Sequence, residues 1–305
     1  MASKSEIYSQ GYQKWDGDRT QVTPPWYLIG RAGVQNILAS TGKKSRMFFI
    51  IAFVIYYFML VASTTLRLQI ENFKRIEWLA GVLEAWEAAQ PTQSEVWYHE
   101  TFILQPAIFF TFWTMILYGS QLISKDRAAN ALQVYFSKAV SRFDYLFGKF
   151  FAVAQMTAVV TLVPSAIMIC VGLVATTDHL EFIKQSWYIP ILTGSFWLLL
   201  TVTYGSIILL CSSLMNRSYM AGASFFGFAV FTAVFPYILG FIFGAHSFVE
   251  GLKWTSSIAT IGEAIYTLKV AEAGLLFWQV FDVALVTGVA IFLITRRIEP
   301  VEVVK

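Results

Sequence analysis

Asp282 and Lys149 are the two ionisable residues that fall inside long apolar stretches of this sequence. A charge at the centre of a bilayer costs about 3 kcal/mol on insertion scales, so such groups often mark pathways for ions or protons. Lys149 lies one or two turns from the end of its stretch, where a long side chain can snorkel to water. Asp282 lies about two turns from the opposite end of the last stretch, where it can reach outer water. A carrier driven by ions is expected to hold more such groups near the midplane, so their scarcity points to an external energy source. His99, His179 and His246 stand near Glu100, Asp178 and Glu250. Imidazole with carboxylate suits a metal, but three scattered histidines fit surface positions as well, and no metal site is expected. No HExxH, paired-Asp or Ser–His pattern suggests an intramembrane hydrolase. Cys170 and Cys211 form no CxxC pair, and both lie in apolar runs where a thiol packs as a small apolar group.

The densest set of chemically informative residues is a polar island between two apolar runs, ISKDRAANALQVYFSKAVSRFDYLFGK, residues 123–149. Ser124 and Lys125 open it, and Asp126 is expected in a first helical turn, where a carboxylate suits the positive end of the helix dipole. Ala131, Leu132, Tyr135 and Phe136 recur at helical spacing and give one apolar face. Asp126 can contact a partner, cap a helix or pair with a neighbouring Arg. The island is either a plain connector or a handle on which something outside the membrane pushes.

The elements that position these residues follow from composition. The chain is 57% hydrophobic, 17% aromatic and 13% charged, well below the quarter of charged residues usual in soluble domains. Crossing a hydrocarbon core takes about 20 apolar residues in a helix. Six runs qualify, at residues 47–66, 103–123, 145–174, 188–214, 219–243 and 275–295. The third is long and holds Pro164, which predicts tilt or a kink. About 46 mostly polar residues precede the first run, so no secretory signal is expected and the first span itself directs insertion. The reading is an all-α, polytopic membrane protein with a tail and interfacial helix over 1–46, a six-span domain over 47–297 and a C-terminal tail over 298–305.

Loop charges set the expected orientation. With both termini inside, 16 of the 22 Lys and Arg residues lie on the inner side, which the positive-inside rule favours. The formal charge of +3 does not indicate nucleic-acid binding, because the basic residues border the membrane. Residues 26–40 follow Pro24 and Pro25 and read as a helix on the inner membrane surface, or as an ordinary linker helix. The outer loop over 67–101 carries a predicted amphipathic helix near 73–88, and residues 244–274 read as short helices at or dipping into the outer interface. Ser218, Gly222, Gly240 and Gly244 permit close helix contact, within one subunit or at a seam between copies. Phe53 and Tyr57 belong to an aromatic first span that either lines an apolar path or faces lipid; with Asp282 they are the candidate translocation residues.

The island resembles the corresponding loop of permease subunits in type-2 ATP-binding-cassette (ABC) transporters. Asp126, Arg127, Leu132, Ser137, Val140, Ser141, Arg142, Gly148 and Lys149 carry the resemblance over about 27 residues. Asn130, Gln133 and Ala139 depart from it, standing where Gly, an acid and Pro are frequent. The resemblance implies that residues 124–142 hold a coupling helix that docks in a groove of a separate ATP-hydrolysing subunit. Asp126, Arg127, Leu132, Tyr135, Phe136, Ser141 and Arg142 are then the expected contacts. It also implies a second permease copy, ATP and Mg bound by the partner subunit, and residence in the cytoplasmic membrane of a bacterium. Extracytoplasmic subunits are a further expected class of partner. The chain has no GxxxxGK[ST] phosphate loop, so it is not expected to be an enzyme or to bind a cofactor itself. Two other readings stay open: a secondary carrier or channel without an ATPase, and a membrane anchor for an ATP-driven cell-surface machine.

Overall fold

The computed structural model describes residues 23–40, 42–88, 99–132, 135, 140–244, 247–269 and 272–298. Among these residues the fold is all-helical, without strands. Six helical stretches are long and apolar enough to cross a membrane: Arg46–Leu68, Glu100–Ala128, Arg142–Ala175, His179–Leu214, Ser218–Phe243 and Ala273–Arg297. The chain is therefore a multi-pass membrane protein.

Helix α1 (Pro25–Ser40) precedes the first span, α2 (Lys43–Leu68). Helix α3 (Glu77–Ala88) belongs to the loop before the second span, α4 (Glu100–Ala128). The third span is α5 (Arg142–Val160) followed by α6 (Leu162–Ala175), and the fourth is α7 (His179–Ser186) followed by α8 (Ile189–Leu214). Helix α9 (Ser218–Phe243) is the fifth span. Helices α10 (Ser247–Gly251) and α11 (Trp254–Thr267) lead to the sixth, α12 (Ala273–Arg297).

The centre is α8, which packs against α4, α5, α9, α11 and α12. Its sequence is apolar all round, with most side chains buried in the bundle and Ile191, Leu198 and Val202 left exposed on its outer side. Small hydroxyl residues join it to its neighbours: Thr157 and Thr201 hydroxyls meet at 2.7 Å, and Ser165 and Thr193 at 3.2 Å. Such bonds hold helices together where lipid removes the hydrophobic drive between them. Helix α11 enters the bundle rather than resting on its rim. Trp254 is wholly buried between the Tyr204 and Phe228 rings, and a Cβ on Gly262 would lie 2.7 Å from the Phe196 ring.

Two helix breaks follow from local chemistry. The third span breaks at Thr161, three residues before Pro164, whose absent N–H cannot serve the Val160 carbonyl. In α4, Pro106 likewise leaves the Phe102 carbonyl without its helical donor, and the Tyr56 hydroxyl donates to it at 3.1 Å. Helix α4 also contains wide π turns at Glu100–Leu104 and Met115–Gly119. Gly222 of α9 crosses α4 at the second of these, where an added Cβ would lie 2.8 Å from the Ile116 carbonyl oxygen. Gly222 thus serves a close contact within the chain, one of the two uses its spacing leaves open.

Candidate coupling site

The polar island begins later than its charges suggest. Helix α4 does not stop at Ile123 but runs to Ala128, so Ser124 to Arg127 belong to its last turns and Asp126 is not in the first turn of a new helix. Side chains from elsewhere carry the helix through this polar stretch. The Ser212 hydroxyl accepts from the backbone N–H groups of Ile123 and Ser124 at 3.0 and 2.9 Å. It donates in turn to the Ser120 carbonyl at 2.8 Å. The Ser124 and Ser218 hydroxyls lie 3.0 Å apart. Asn130, at φ 51°, then ends the run in the left-handed conformation, which Asn and Gly tolerate best.

Asp126 faces inward. Its Oδ2 lies 2.7 Å from Lys149 Nζ and accepts the Tyr145 hydroxyl at 2.8 Å. Lys149 does not snorkel; its side chain is 3% exposed. The ammonium also lies 5.2 Å from the centre of the Tyr145 ring. A buried charge persists only when paired and hydrogen-bonded, and this pair meets that condition by joining the end of α4 to the first turns of α5. Arg127 turns the other way and donates to the Ser213 carbonyl near the C-terminus of α8, where a cation complements the helix dipole. Asp126 and Arg127 thus fasten the start of the island to two different spans.

The far side of the island is fastened too. Ser141 is the N-cap of α5: its hydroxyl accepts from the Asp144 N–H at 3.0 Å, and the Asp144 carboxylate reaches back to the Ser141 N–H at 3.4 Å. This reciprocal box satisfies two orphan donors of the helix start. One turn on, Gly148 provides the crossing point for α1. A Cβ there would lie 2.8 Å from both the Ile29 Cβ and the Trp26 carbonyl oxygen, and one on Gly30 would lie 2.8 Å from the Gly148 carbonyl. The α1 helix is therefore a packed part of the bundle, with Trp26 edge-on to Phe147 and Phe151 at 5.1 and 5.2 Å.

Within the island, Leu132 and Tyr135 are half-buried and pack toward the chain's own core. Tyr135 lies 5.5 Å from the Tyr145 ring. Burial and the nearby Asp126 charge raise its phenol above the ordinary range, so it is a neutral side chain at physiological pH. Phe136 lies outside the described residues. Arg142 is exposed and, with Phe143, Leu146, Thr295, Arg296 and Ile298, lines a cavity of about 360 Å³ at the same end of the bundle. The sequence reading passed over Phe143 and Arg296 as members of this surface. The available signal was an aromatic residue beside the cap of one span and an Arg pair closing another.

The candidate path residues are not gathered in one place. Phe53 stacks on Phe110 of α4 at 5.0 Å, and the Tyr57 hydroxyl donates to the Val159 carbonyl beside the break in the third span. Asp282 belongs to α12, which packs against α8, α10 and α11. Among the described residues no three of His, Cys, Asp and Glu converge as a metal site. His99 is buried rather than at the surface, His179 is exposed, and His246 lies outside the described residues. No protein-family model, curated protein or solved structure matches the chain.

Proposed function

We propose that this chain is the membrane-spanning permease subunit of an ATP-driven ABC transporter, energised by a separate ATPase that docks on the island after the second span. The observation that carries the reading is the anchorage of that island. Asp126 with Lys149 and Tyr145 joins it to α5, Arg127 with the Ser213 carbonyl joins it to α8, and Ser141 caps its exit. A load applied to a segment held this way passes to three spans at once, which is the mechanical requirement for coupling. A slack connector has no need of a buried ion pair at its root. Asn130 supports the resemblance despite departing from it, since the left-handed backbone there explains why Gly is frequent at that place.

On this reading the motif residues divide by role. Asp126, Arg127, Ser141, Gly148 and Lys149 hold the loop, while Phe136, Arg142 and Phe143 are the side chains offered to the ATPase. Basic residues gather at this end of the bundle, which under the positive-inside rule supports a cytoplasmic position for it, while the bacterial membrane is what the resemblance implies. The aromatic and aliphatic face of α2, including Val54, Ile55 and Phe58, is exposed and is the surface for a second copy. The test is gentle affinity purification of the tagged chain from its native membrane. A co-purifying subunit with a GxxxxGK[ST] motif, lost when Arg142 is changed to Glu, supports the proposal. A fully folded chain recovered with no such subunit opposes it and favours a carrier.

A further inference from the structure

Between α11 and the start of α12, at the end of the bundle opposite the island, the structure leaves a cavity of about 760 Å³. This is the size of a small-molecule site. Thr260, Glu263 and Thr267 of α11 face Glu272 and Gln279 across it, with Lys269 on the connecting turn. Glu272, the N-cap of α12, leads into a stripe of that helix formed by Leu275, Leu276 and Gln279. At 1.5 Å per residue, Gln279 lies about 10 Å along the axis from Glu272. The stripe is therefore polar at its mouth and again at its floor, with Leu275 and Leu276 between.

The floor holds an unmet demand. Gln279 is 4% exposed; its amide nitrogen lies 3.4 Å from the Thr260 hydroxyl, but its Oε1 has no hydrogen-bond partner. A buried acceptor without a donor loses its hydration and gains nothing, and each such group needs an explanation. Gln279 Oε1 is an acceptor, so what completes it is a molecule that brings a donor. At the mouth, Glu263 and Glu272 outweigh Lys269, and Glu100 lies within electrostatic range of Glu263. A neutral polyol supplies donors but gains nothing from this charge, and an anion is repelled by it.

We infer that this cavity is a binding site for a small organic diammonium ion, with the carboxylates of Glu263 and Glu272 holding one charged end and Gln279 Oε1 accepting an N–H donor of the other. Ammonium hydrogen bonds to carboxylates are charge-assisted and about twice as strong as neutral ones, so the pairing favours amines over alcohols of equal shape. The site is a property of the chain alone and does not depend on an ATPase partner.

The test uses the purified full chain in lipid nanodiscs and three probes matched in length: 1,6-hexanediamine, 1,6-hexanediol and adipate. Binding is read by calorimetry and by tryptophan fluorescence, since Trp278 neighbours Gln279. The diamine is expected to bind saturably, and the diol and the diacid at least tenfold more weakly. The surface double variant Glu263→Gln/Glu272→Gln and the floor variant Gln279→Leu are each expected to lower diamine affinity about tenfold or more. Thermal unfolding of the double variant should stay unchanged, which separates lost binding from lost folding. Absence of saturable diamine binding, equal binding of the diol, or full affinity in the double variant overturns the inference.

Discussion

Replacing Asp126 by Asn removes the carboxylate that faces the Lys149 ammonium at 2.7 Å and leaves that ammonium buried. At an effective dielectric of about 20, the gross attraction at this separation is roughly 6 kcal/mol. Desolvating two ions costs several kcal/mol each, so the intact pair contributes little net stability. Breaking it is different, because a lone buried charge keeps its desolvation cost; the loss is about 3 kcal/mol, at the lower end of the usual range because Asp126 is 19% exposed and water reaches its side. Lys149→Met should cost less, since Asp126 keeps the Tyr145 hydroxyl. The double variant Asp126→Asn/Lys149→Met leaves no charge and should recover to within about 1 kcal/mol of the parent. The assay is thermal unfolding of the four proteins in one lipid, followed by tryptophan emission. A loss of about 3 kcal/mol corresponds to a fall of roughly 6 °C or more for Asp126→Asn. The coupling energy across the cycle should be at least about 2 kcal/mol. Strict additivity, with the double variant the least stable of the four, would refute the claim that this pair roots the island.

Three further outcomes test the surrounding frame. Gly148→Val should push α1 off α5, because even a Cβ would lie 2.8 Å from the Trp26 carbonyl; a loss of about 1–3 kcal/mol is expected, with earlier tryptic cleavage at Arg31. Ser141→Ala should cost about 1 kcal/mol by removing the cap of α5, and Ser141→Asn should restore most of it in the same unfolding assay. In a Cys170→Ser/Cys211→Ser background, single cysteines at Arg142 and Glu84 should react with an impermeant maleimide from opposite faces of the membrane, with Glu84 the one labelled in intact cells; labelling of both from outside contradicts the topology.

The spans were legible because a bilayer demands length and apolarity together, and few other folds produce six such runs. Their ends were less so. Lys125, Asp126 and Arg127 look like the start of a loop in a local window, yet the helix continues because Lys149 and the Ser213 carbonyl satisfy them. Those partners are 23 and 86 residues away, beyond any reading of hydropathy. Lys149 was taken for a snorkelling residue for the same reason. The small residues of the fifth span showed that something approaches closely, but only the structure identifies the Ile116 carbonyl of the same chain at Gly222. The apolar face of Leu132 and Tyr135 was visible from its spacing, whereas its direction was not: both turn toward the protein, leaving less of that face for a partner. Gln279 carried no signal at all, because one amide in an apolar run becomes informative only when its oxygen is seen without a donor.

The proposal of an externally powered permease meets its most direct test in a photo-crosslinker placed at position 136, and separately at Arg142, in the chain expressed in its native membrane. The account predicts that ultraviolet light joins both positions to one subunit carrying a GxxxxGK[ST] loop, and that the same reagent at Glu84 captures none of it. Efficient labelling of a correctly inserted chain, with no phosphate-loop subunit captured from either island position, would contradict it.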